Sequence, residues 1–329
     1  MRRPSSRAAS ASKKASKKPP IGVFGLGKMG GQIARRLHAS GFPVVAWNRS
    51  PGPVEEAAAA GLSAHADLAA AVQAVSAAAE ASAAPRVFWV MLPQGVVDDF
   101  ISGSSHIGSF LRPGDIVIDG GNSFYKDSMR RAAALAERGV RFFDCGTSGG
   151  VWGEREGFAL MAGGPREAWP DVEPFMRALS SGDNYGLVGP AGAGHFTKMV
   201  HNGIEYGMME AIGEGYAVLR ASPFGLDLSA VTRIYQKGSV IRSWLIDLCK
   251  DIFDSEDVEG ASAVIDATGE GSWTVEAGKE LGVDVRVIED SVKVRAESKD
   301  PKNAGKYSNR IVALLRKHFG GHAVHPKRD

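Results

Sequence analysis

The chain has 329 residues, of which 44% are hydrophobic and 23% are charged, a composition typical of a globular protein long enough for two domains. It contains no run of 18 apolar residues, which excludes a transmembrane helix. The formal net charge is +2, but residues 1–20 contain seven Lys or Arg and no acidic residue. Without these seven charges the rest carries −5, and a mildly acidic body argues against a nucleic-acid partner.

The N-terminal segment and the cysteines bear on location. Residues 1–20 are low in complexity and too polar to order themselves, which predicts a disordered basic tail. Their Arg and Ser content also fits a transit peptide, but no large apolar residue follows Met1, so we favour a bacterial-type tail or an over-extended start. Cys145 and Cys249 have no metal or redox spacing, which fits a reducing compartment and predicts a cytoplasmic protein.

A glycine-rich turn follows the first apolar run, Ile21 to Phe24. The sequence "GLGKMG" has the spacing G-x-G-x-x-G, in which the first glycine makes a tight turn, the second admits a pyrophosphate and the third packs helix on strand. The motif alone is weak evidence, but its place at the first strand–helix unit favours a dinucleotide site. The predicted cofactor contacts here are Gly25, Leu26, Gly27, Met29 and Gly30.

The residues after the second predicted strand, "PVVAW", bear on the choice of cofactor. An NAD site usually has an acidic residue here to bind the ribose hydroxyls, whereas this chain has Asn48, Arg49 and Ser50. A guanidinium and a hydroxyl can bind a 2′-phosphate, which a carboxylate would repel. We therefore predict NADP, with NAD possible. The alternative is that Arg49 lies over the adenine ring, which would suit either cofactor.

Strand-like and helix-like segments alternate as far as residue 190. The further predicted strands are residues 86–92, 115–121, 141–150 and 158–164. An Ala-rich helical stretch runs from Ala57 to Ala84, and one long helix is predicted over residues 194–220. This order predicts an α/β Rossmann-type doubly wound domain over residues 21–190, followed by an all-α substrate and dimerisation domain over residues 191–329.

Two glycine-rich loops follow strands of the first domain, "GGNS" (120–123) and "GTSGG" (146–150). Ligands of such sheets bind beyond the carboxyl ends of the strands. Asn122 and Ser148 are therefore candidate substrate contacts, and Gly149 and Gly150 could present backbone amides to a carboxylate. The alternative is ordinary turn chemistry.

The start of the long helix, "KMVHNGIEYG" (198–207), groups five polar side chains of different chemistry within an arc of about 140°. They are Lys198, His201, Asn202, Glu205 and Tyr206. A solvated face of an amphipathic helix is the common explanation for a polar arc. Such faces usually repeat Glu, Lys and Gln, whereas Asn and Gly are poor helix formers. The diversity of these groups predicts a functional site.

Long motifs in this order closely resemble 6-phosphogluconate dehydrogenase, the decarboxylating enzyme. After "GLGKMG" they are "IDGGNS", "DCGTSGGVWG" and "GAGHFTKMVHNGIEYG". The resemblance extends from about Ile21 to Val324 and is to the short form of the family. It implies oxidative decarboxylation of 6-phosphogluconate to ribulose 5-phosphate and CO2 in the pentose phosphate pathway, with hydride transfer to NADP. It also implies a homodimer or a dimer of dimers.

The resemblance assigns roles to individual residues. Lys198 is implied as general base and Glu205 as general acid. The sugar-acid carboxylate and hydroxyls are assigned to Asn122, Ser148, Gly149, Gly150, His201 and Asn202. The substrate phosphate is assigned to Tyr206 and Arg295. In the tail "RKHFGGH", Arg316 and His322 have the spacing of an Arg and a His that reach into the partner subunit's site in the long form.

One loop departs from the long form. Where that form has a Lys and a Thr before "WT", this chain has Thr268 and Glu270 in "DATGEGSWT". The loss of an ammonium and the gain of a carboxylate predict weaker phosphate binding there and leave a non-phosphorylated substrate possible. The short-form relatives resemble this pattern.

Two alternative functions remain open. A β-hydroxyacid dehydrogenase of the related superfamily, such as one acting on 3-hydroxyisobutyrate, would share the glycine turn and the lysine but would not decarboxylate. A catalytically silent NADP-binding regulator is disfavoured by the intact Lys198–Glu205 pair. No metal is expected, because an ammonium can replace a Lewis acid and the sequence offers no credible ligand cluster. Trp244, Trp273 and residues 311–319 are interpreted as ordinary core.

Overall fold

The computed structural model describes residues 18–266 and 269–324 of the chain. The predicted basic tail lies outside these ranges as far as residue 17, and so does Thr268. Within the two ranges, every helix is too short or too polar to cross a bilayer.

The first domain is built on one sheet, in which the described residues form eight strands in the order β3-β2-β1-β4-β5-β6-β7-β8. All neighbouring strands are parallel except β6 and β7, which are antiparallel. The strands are β1 (Ile21–Phe24), β2 (Val44–Trp47), β3 (Ser63–His65), β4 (Val87–Val90), β5 (Ile116–Asp119), β6 (Arg141–Ser148), β7 (Phe158–Gly163) and β8 (Ser180–Gly189).

Helices cover both faces of this sheet. They are α1 (Lys28–Ala39), α2 (Pro51–Ala59), α3 (Leu68–Ser82), α4 (Gln94–Ser102), α5 (Tyr125–Ala136), α6 (Gly153–Glu156) and α7 (Trp169–Leu179). The strand order reverses between β1 and β4, and such a switch point leaves a crevice for a ligand at the carboxyl ends of the strands. The prediction of a doubly wound Rossmann-type domain is confirmed.

The burial pattern of β4 explains why this sheet needs helices on two sides. Val87 and Trp89 belong to one hydrophobic core, whereas Phe88 and Val90 belong to another. Successive side chains of a strand point to opposite faces, so an all-apolar strand must be covered on both. These cores hold the strand ends, and hence the loops that follow them, in fixed positions.

A long helix leads into the second domain. The helices there are α8 (Ala193–Ala221), α9 (Leu228–Tyr235), α10 (Trp244–Ser255), α11 (Glu270–Leu281), α12 (Arg286–Glu297) and α13 (Tyr307–Gly320). The helix predicted over residues 194–220 corresponds to α8. It packs against β6 and β7 of the sheet and also against α11, α12 and α13, so it belongs to both domains and positions its polar face between them.

Two strands of the sheet were not predicted. The stretch from Ala57 to Ala84, interpreted as helical, is interrupted by β3, which pairs with β2. Its uniform Ala content obscured a turn at Gly61, where φ is +86°, and an N-cap at Asp67, which accepts from the Ala70 amide. Strand β8 is an edge strand with an exposed first half and little apolar alternation, so the sequence pattern gave no signal for it.

Candidate active site

The candidate site is a cavity of about 560 Å³ at the junction of the two domains. Its walls come from the loops after β5 and β6, from the polar face of α8, from the start of α11, and from α12 and the tail after α13. The five polar residues predicted to form a site at the start of α8 all line this cavity. Their helix packs against β6, α11, α12 and α13, which carry or lead into other walls of the cavity.

Lys198 lies at the centre of a short hydrogen-bonded cluster. Its Nζ is 2.6 Å from Asn202 Oδ1 and 3.3 Å from His201 Nδ1. Burial lowers the pKa of the Lys198 amine, and the carboxylates of Glu205 and Glu270 oppose this shift. Burial also lowers the pKa of His201, and the nearby lysine adds to the shift. Near neutral pH, a larger share of this amine than of an ordinary lysine is free to accept a proton.

Glu205 lies one to two turns further along the same face of α8. Its Oε2 is 3.9 Å from His201 Nδ1. Burial raises the pKa of its carboxyl, against the opposing charges of Lys198 and Arg295. The cavity thus pairs an amine that is more acidic than usual with a carboxyl that is less acidic than usual. Such a divergence is typical of an acid–base pair.

The start of α8 is fixed by a residue that the sequence reasoning did not select. The buried Asp144 carboxylate accepts from the backbone amides of Gly192 and His195, at 2.6 and 2.7 Å. At Gly146 in the same strand, an added Cβ would lie 2.3 Å from Lys198 Cβ. Strand β6 therefore both anchors α8 and leaves room for the lysine beside it.

The two glycine-rich loops form the cavity wall that faces Lys198. Asn122, Ser148, Gly149 and Gly150 all line the cavity, as the predicted substrate contacts should. Gly150 has φ +54°, and a Cβ there would lie 2.0 Å from the Phe319 carbonyl oxygen. Only glycine suits this position, because it combines a left-handed conformation with a close backbone contact.

Two arginines and a tyrosine form the end of the cavity predicted to bind phosphate. The Arg295 guanidinium lies 3.2 Å from the centroid of the Tyr206 ring, and Arg316 faces the same cavity. Burial and the charge of Arg295 lower the pKa of Arg316. Tyr206 Oη is buried without a hydrogen-bond partner among the described residues. A donor hydroxyl beside two guanidinium groups is suited to an anionic oxygen.

A buried carboxylate stands behind Arg295. Glu210 Oε1 lies 3.5 Å from Arg295 Nε, and both side chains are almost fully buried. Burial raises the pKa of Glu210 to about 7, although the charge of Arg295 opposes the shift. The sequence reasoning did not select Glu210, because a carboxylate about three turns beyond Lys198 is indistinguishable from a surface residue in the pattern.

The tail residues lie in the cavity of their own chain. Arg316 and His322 line the same cavity as Lys198 of their own chain, because α13 packs along α8 and leads the tail back to it. Their reach into a partner's site stays a prediction for the dimer. Trp152 Nε1 donates to the His318 carbonyl at 2.9 Å, and Lys28 Nζ donates to the Gly321 carbonyl at 3.1 Å.

Glu270, one of the two residues that differ from the long form, also lies in the cavity wall. Glu270 lines the cavity and accepts from Asn202 Nδ2 at 2.7 Å. Trp244, interpreted as core, is 45% exposed and lines the cavity instead. It is the first residue of α10, so no preceding helical turn covers one side of its ring. Trp273 is partly buried against Phe124. Residues 311–315 are core as expected, whereas Arg316 and Phe319 line the cavity.

The glycine turn has the geometry that its spacing predicts. Gly25 has φ +101°, and a Cβ there would lie 2.4 Å from the Met91 carbonyl oxygen. A Cβ at Gly30 would lie 1.9 Å from the Gly25 carbonyl oxygen, whereas one at Gly27 would meet nothing within 4 Å. The first and third glycines therefore serve close packing, and the second leaves open space where a pyrophosphate can approach. Met29 links this turn to the cavity, which it also lines.

The residues predicted to select the cofactor follow β2. Asn48 Oδ1 accepts from the Leu26 amide at 3.0 Å, so this side chain holds the glycine turn. Arg49 and Ser50 are exposed and are free to meet a ligand at the carboxyl end of β2. In the part of the chain that the structure describes, no group of three or more His, Cys, Asp or Glu could hold a metal ion.

Comparisons with known proteins agree with this arrangement. Residues 20–189 match the family model for the NAD-binding domain of 6-phosphogluconate dehydrogenase, and residues 194–322 match that for its C-terminal domain. The chain belongs to the 6-phosphogluconate dehydrogenase family. It is therefore an oxidoreductase whose first domain binds a nicotinamide dinucleotide.

Relatives of similar length match this chain over more than nine-tenths of its residues. YqeC of Bacillus subtilis, itself a provisional 6-phosphogluconate dehydrogenase, is 40% identical over 93% of this chain and 99% of that protein. The NAD(+)-dependent decarboxylating enzyme of Haloferax volcanii is 36% identical over 94% of this chain and 99% of that enzyme. The 6-phosphogluconate dehydrogenase of Plasmodium falciparum, studied with NADP+ and with 6-phosphogluconate, superposes with a TM-score of 0.73 at 27% identity, covering 94% of this chain and 67% of that one.

Proposed function

We propose that the protein catalyses the oxidative decarboxylation of 6-phosphogluconate to ribulose 5-phosphate and CO2, with hydride transfer to NADP, as a step of the pentose phosphate pathway. The observation that carries this proposal is the pairing of Lys198 and Glu205 on one face of α8. One has a lowered and the other a raised pKa. They share their cavity with two arginines suited to a phosphate.

In the first step, neutral Lys198 accepts the proton of the substrate's C3 hydroxyl. The nicotinamide, when bound, supplies the acceptor for the hydride that leaves C3. Asn202 Oδ1 accepts a hydrogen bond from the amine at 2.6 Å and so orients the amine while it takes the proton. General base catalysis of this kind typically contributes 10²- to 10⁴-fold to the rate.

In the second step, the β-keto acid loses its C1 carboxyl group as CO2, and the electron pair of the broken bond passes into an enediolate. Lys198, now an ammonium, donates a hydrogen bond to the oxygen on C3 as its negative charge develops. A donor at such a position is worth roughly 3–4 kcal/mol in comparable sites.

In the last step, Glu205 donates its proton to the carbon that becomes C1 of ribulose 5-phosphate. Burial keeps this carboxyl protonated to a higher pH than an ordinary glutamate. To restore the resting state, the Lys198 ammonium releases its proton and the Glu205 carboxylate takes one up, so the cycle produces no net proton. The same face of α8 therefore carries the base for the oxidation and the acid that protonates the enediolate to give the product.

The exposed residues after β2 support NADP as the cofactor. Arg49 and Ser50 provide a positive charge and a hydroxyl where a carboxylate would select NAD. Asn48 keeps the turn in place through the Leu26 amide. The Haloferax volcanii relative is named as NAD(+)-dependent, and a comparison of kcat/KM with the two nucleotides distinguishes them.

We also infer that the protein forms a homodimer through its helical domain. Large apolar side chains are exposed there on α8 and on the segments before and after α9, notably Val218, Phe224 and Val240. Patches of this kind mark protein–protein contacts. Light scattering coupled to size exclusion should give twice the mass of the 34.7 kDa chain or a higher even multiple. A monomer at micromolar concentration would contradict the inference.

A β-hydroxyacid dehydrogenase acting on a non-phosphorylated acid is the second candidate. The observation that favours it is the Glu270 carboxylate in the cavity wall, which would repel a substrate phosphate.

Steady-state kinetics separates the two candidates. We would measure kcat/KM for 6-phosphogluconate, gluconate and 3-hydroxyisobutyrate, each with NADP and with NAD. The proposal expects 6-phosphogluconate with NADP to exceed every other pair by at least about tenfold, since a guanidinium–phosphate bond contributes about 1.5–3 kcal/mol. Equal or higher values for gluconate or 3-hydroxyisobutyrate would favour the second candidate.

A further inference from the structure

Glu270 forms the start of a hydrogen-bonded chain that ends at Lys198. It is the first residue of α11, and its side chain is 7% exposed. Glu270 Oε1 accepts from Asn202 Nδ2 at 2.7 Å, and Asn202 Oδ1 accepts from Lys198 Nζ at 2.6 Å. The two ends of one amide thus connect a carboxylate to the lysine amine.

The chemistry of this chain fixes its direction. A side-chain amide has a donor end and an acceptor end that exchange when the group turns over, whereas an ionised carboxylate only accepts. With a carboxylate at position 270, Asn202 must present its NH₂ group to Glu270 and its oxygen to Lys198. An uncharged partner would allow the opposite orientation, in which the NH₂ group points at the lysine amine and competes for its lone pair.

The crossing of α8 and α11 holds the chain in place. A Cβ at Gly203 would lie 2.7 Å from Thr274 Cγ2, and one at Gly271 would lie 2.6 Å from Tyr206 Cε2. Thr274 Oγ1 donates to the Met199 carbonyl at 2.8 Å. These contacts keep the two helices closer than larger residues would permit, so the carboxylate is held at a fixed distance from Asn202.

We propose that Glu270 is a positioning residue that acts through Asn202 to orient Lys198 for proton transfer. The proposal deepens the proposed function and rests on it. It gives a role to a carboxylate that the sequence alone marked only as a loss of phosphate binding.

Because Glu270 is charged, its replacement should change the pH dependence of the reaction. A purely structural role would leave that pH dependence unchanged. Several charged or titratable groups line the cavity around Lys198: His201, Glu205, Glu270, Arg295, Arg316 and His322. Of these, the carboxylates of Glu205 and Glu270 raise the pKa of the lysine against the effect of burial. Neutralising Glu270 should therefore lower this pKa further, because it removes a negative charge that favours the ammonium form.

The main variant is Glu270→Gln, with Glu276→Gln as the matched control, because Glu276 lies exposed on the same helix. We expect the pH-independent kcat of Glu270→Gln to fall about tenfold, since hydrogen bonds to charged groups contribute roughly 1.5–3 kcal/mol. KM for 6-phosphogluconate should not rise, and the acidic limb of the kcat/KM profile should move to lower pH. The control should match the wild type. An unchanged kcat with an unmoved limb would overturn the proposal.

A double variant tests whether the effect passes through Asn202. If it does, Glu270→Gln should change kcat less than about twofold in an Asn202→Ala background, because coupled residues are not additive. Additive losses would overturn the proposal. If Glu270→Gln does not fold, Glu270→Asp replaces it. The shorter side chain of this variant moves the carboxylate away from Asn202 but keeps its charge. We therefore expect a lower kcat and an unchanged acidic limb of the kcat/KM profile. A wild-type kcat would overturn the proposal.

Competitive labelling of the free protein with acetic anhydride gives a test that needs no substrate. The pH dependence of Lys198 acetylation, followed by peptide mass spectrometry, reports the pKa of its amine. We expect a pKa below that of an ordinary lysine in the wild type and a lower one still in Glu270→Gln. Equal values would overturn the role of Glu270, whereas a shift without 6-phosphogluconate turnover in the wild type would contradict only the proposed function.

Discussion

Replacing Lys198 by Met tests the role of the lysine with little change of shape. Methionine keeps the unbranched stem and its apolar packing but removes the amine. In the structure this amine is 2.6 Å from Asn202 Oδ1 and largely buried. Met also removes a charge whose burial is unfavourable, so we expect the fold to be retained.

The size of the effect follows from the two roles of the amine. Loss of the base alone should lower kcat by 10²- to 10⁴-fold, and loss of the hydrogen bond to the enediolate should slow decarboxylation by a further factor that corresponds to roughly 3–4 kcal/mol. Because the slower step limits turnover, we expect a fall of at least about 10³. KM for NADP should stay within about threefold, since the glycine turn is unchanged.

The assay is NADPH absorbance at saturating 6-phosphogluconate, with thermal melting to check the fold. Lys198→Arg serves as a second variant, because a guanidinium keeps the charge but cannot act as a base near neutral pH. Lys293→Met, in an exposed ion pair on α12, is the control and should keep wild-type turnover. If Lys198→Met or Lys198→Arg retained more than about a tenth of wild-type kcat, this lysine would not be the base.

Four further predictions address other parts of the site. Glu205→Gln should spare hydride transfer but slow protonation of the enediol, so stopped-flow absorbance should show a burst of NADPH before slow turnover; a linear trace would contradict this. Asn48→Asp with Arg49→Ala should raise KM for NADP at least about tenfold and favour NAD; a higher wild-type kcat/KM with NAD would count against the assignment. Mixing Lys198→Met chains with chains that lack the Arg316 and His322 side chains should restore no activity if these residues serve only the cavity of their own chain, which they line; rescue in proven heterodimers would show the shared site that the resemblance implies. Native Glu210 keeps its proton up to a pKa of about 7, whereas the unfolded state releases it near 4.5, so the free energy of unfolding should fall by up to about 3 kcal/mol from pH 4.5 to 7; chemical denaturation of Glu210→Gln should lack this part of the slope, and an unchanged slope would refute it.

The sequence predicted the fold best where a helical periodicity extends over many residues or where a turn requires glycine. The long helix α8 and the β1–α1 unit were predicted from the polar arc at Lys198 and from the glycine spacing. Strand β3 was missed because alanine is common in helices and in irregular segments alike, so an Ala-rich stretch shows no hydrophobic periodicity that would separate strand from helix. Strand β8 was missed because an edge strand that is exposed along half its length needs no apolar alternation.

The site was predictable where its groups share one element and was not where they meet across elements. Lys198, Asn202 and Glu205 stand on one helix, so their helical spacing places them on one face. Glu270 was noticed as a departure, but its bond to Asn202 depends on how closely α11 crosses α8, which no local pattern encodes. The location of the tail in its own chain's cavity likewise depends on the packing of α13 along α8.

The central claim is that this chain couples hydride transfer to the loss of CO2, and one measurement tests it directly. The purified protein would be given NADP and 6-phosphogluconate labelled with carbon-14 at C1, and NADPH and trapped labelled CO2 would be counted over the same interval. The account predicts one CO2 for each NADPH. NADPH formed without labelled CO2 would contradict it and would indicate a β-hydroxyacid dehydrogenase that stops at the keto acid.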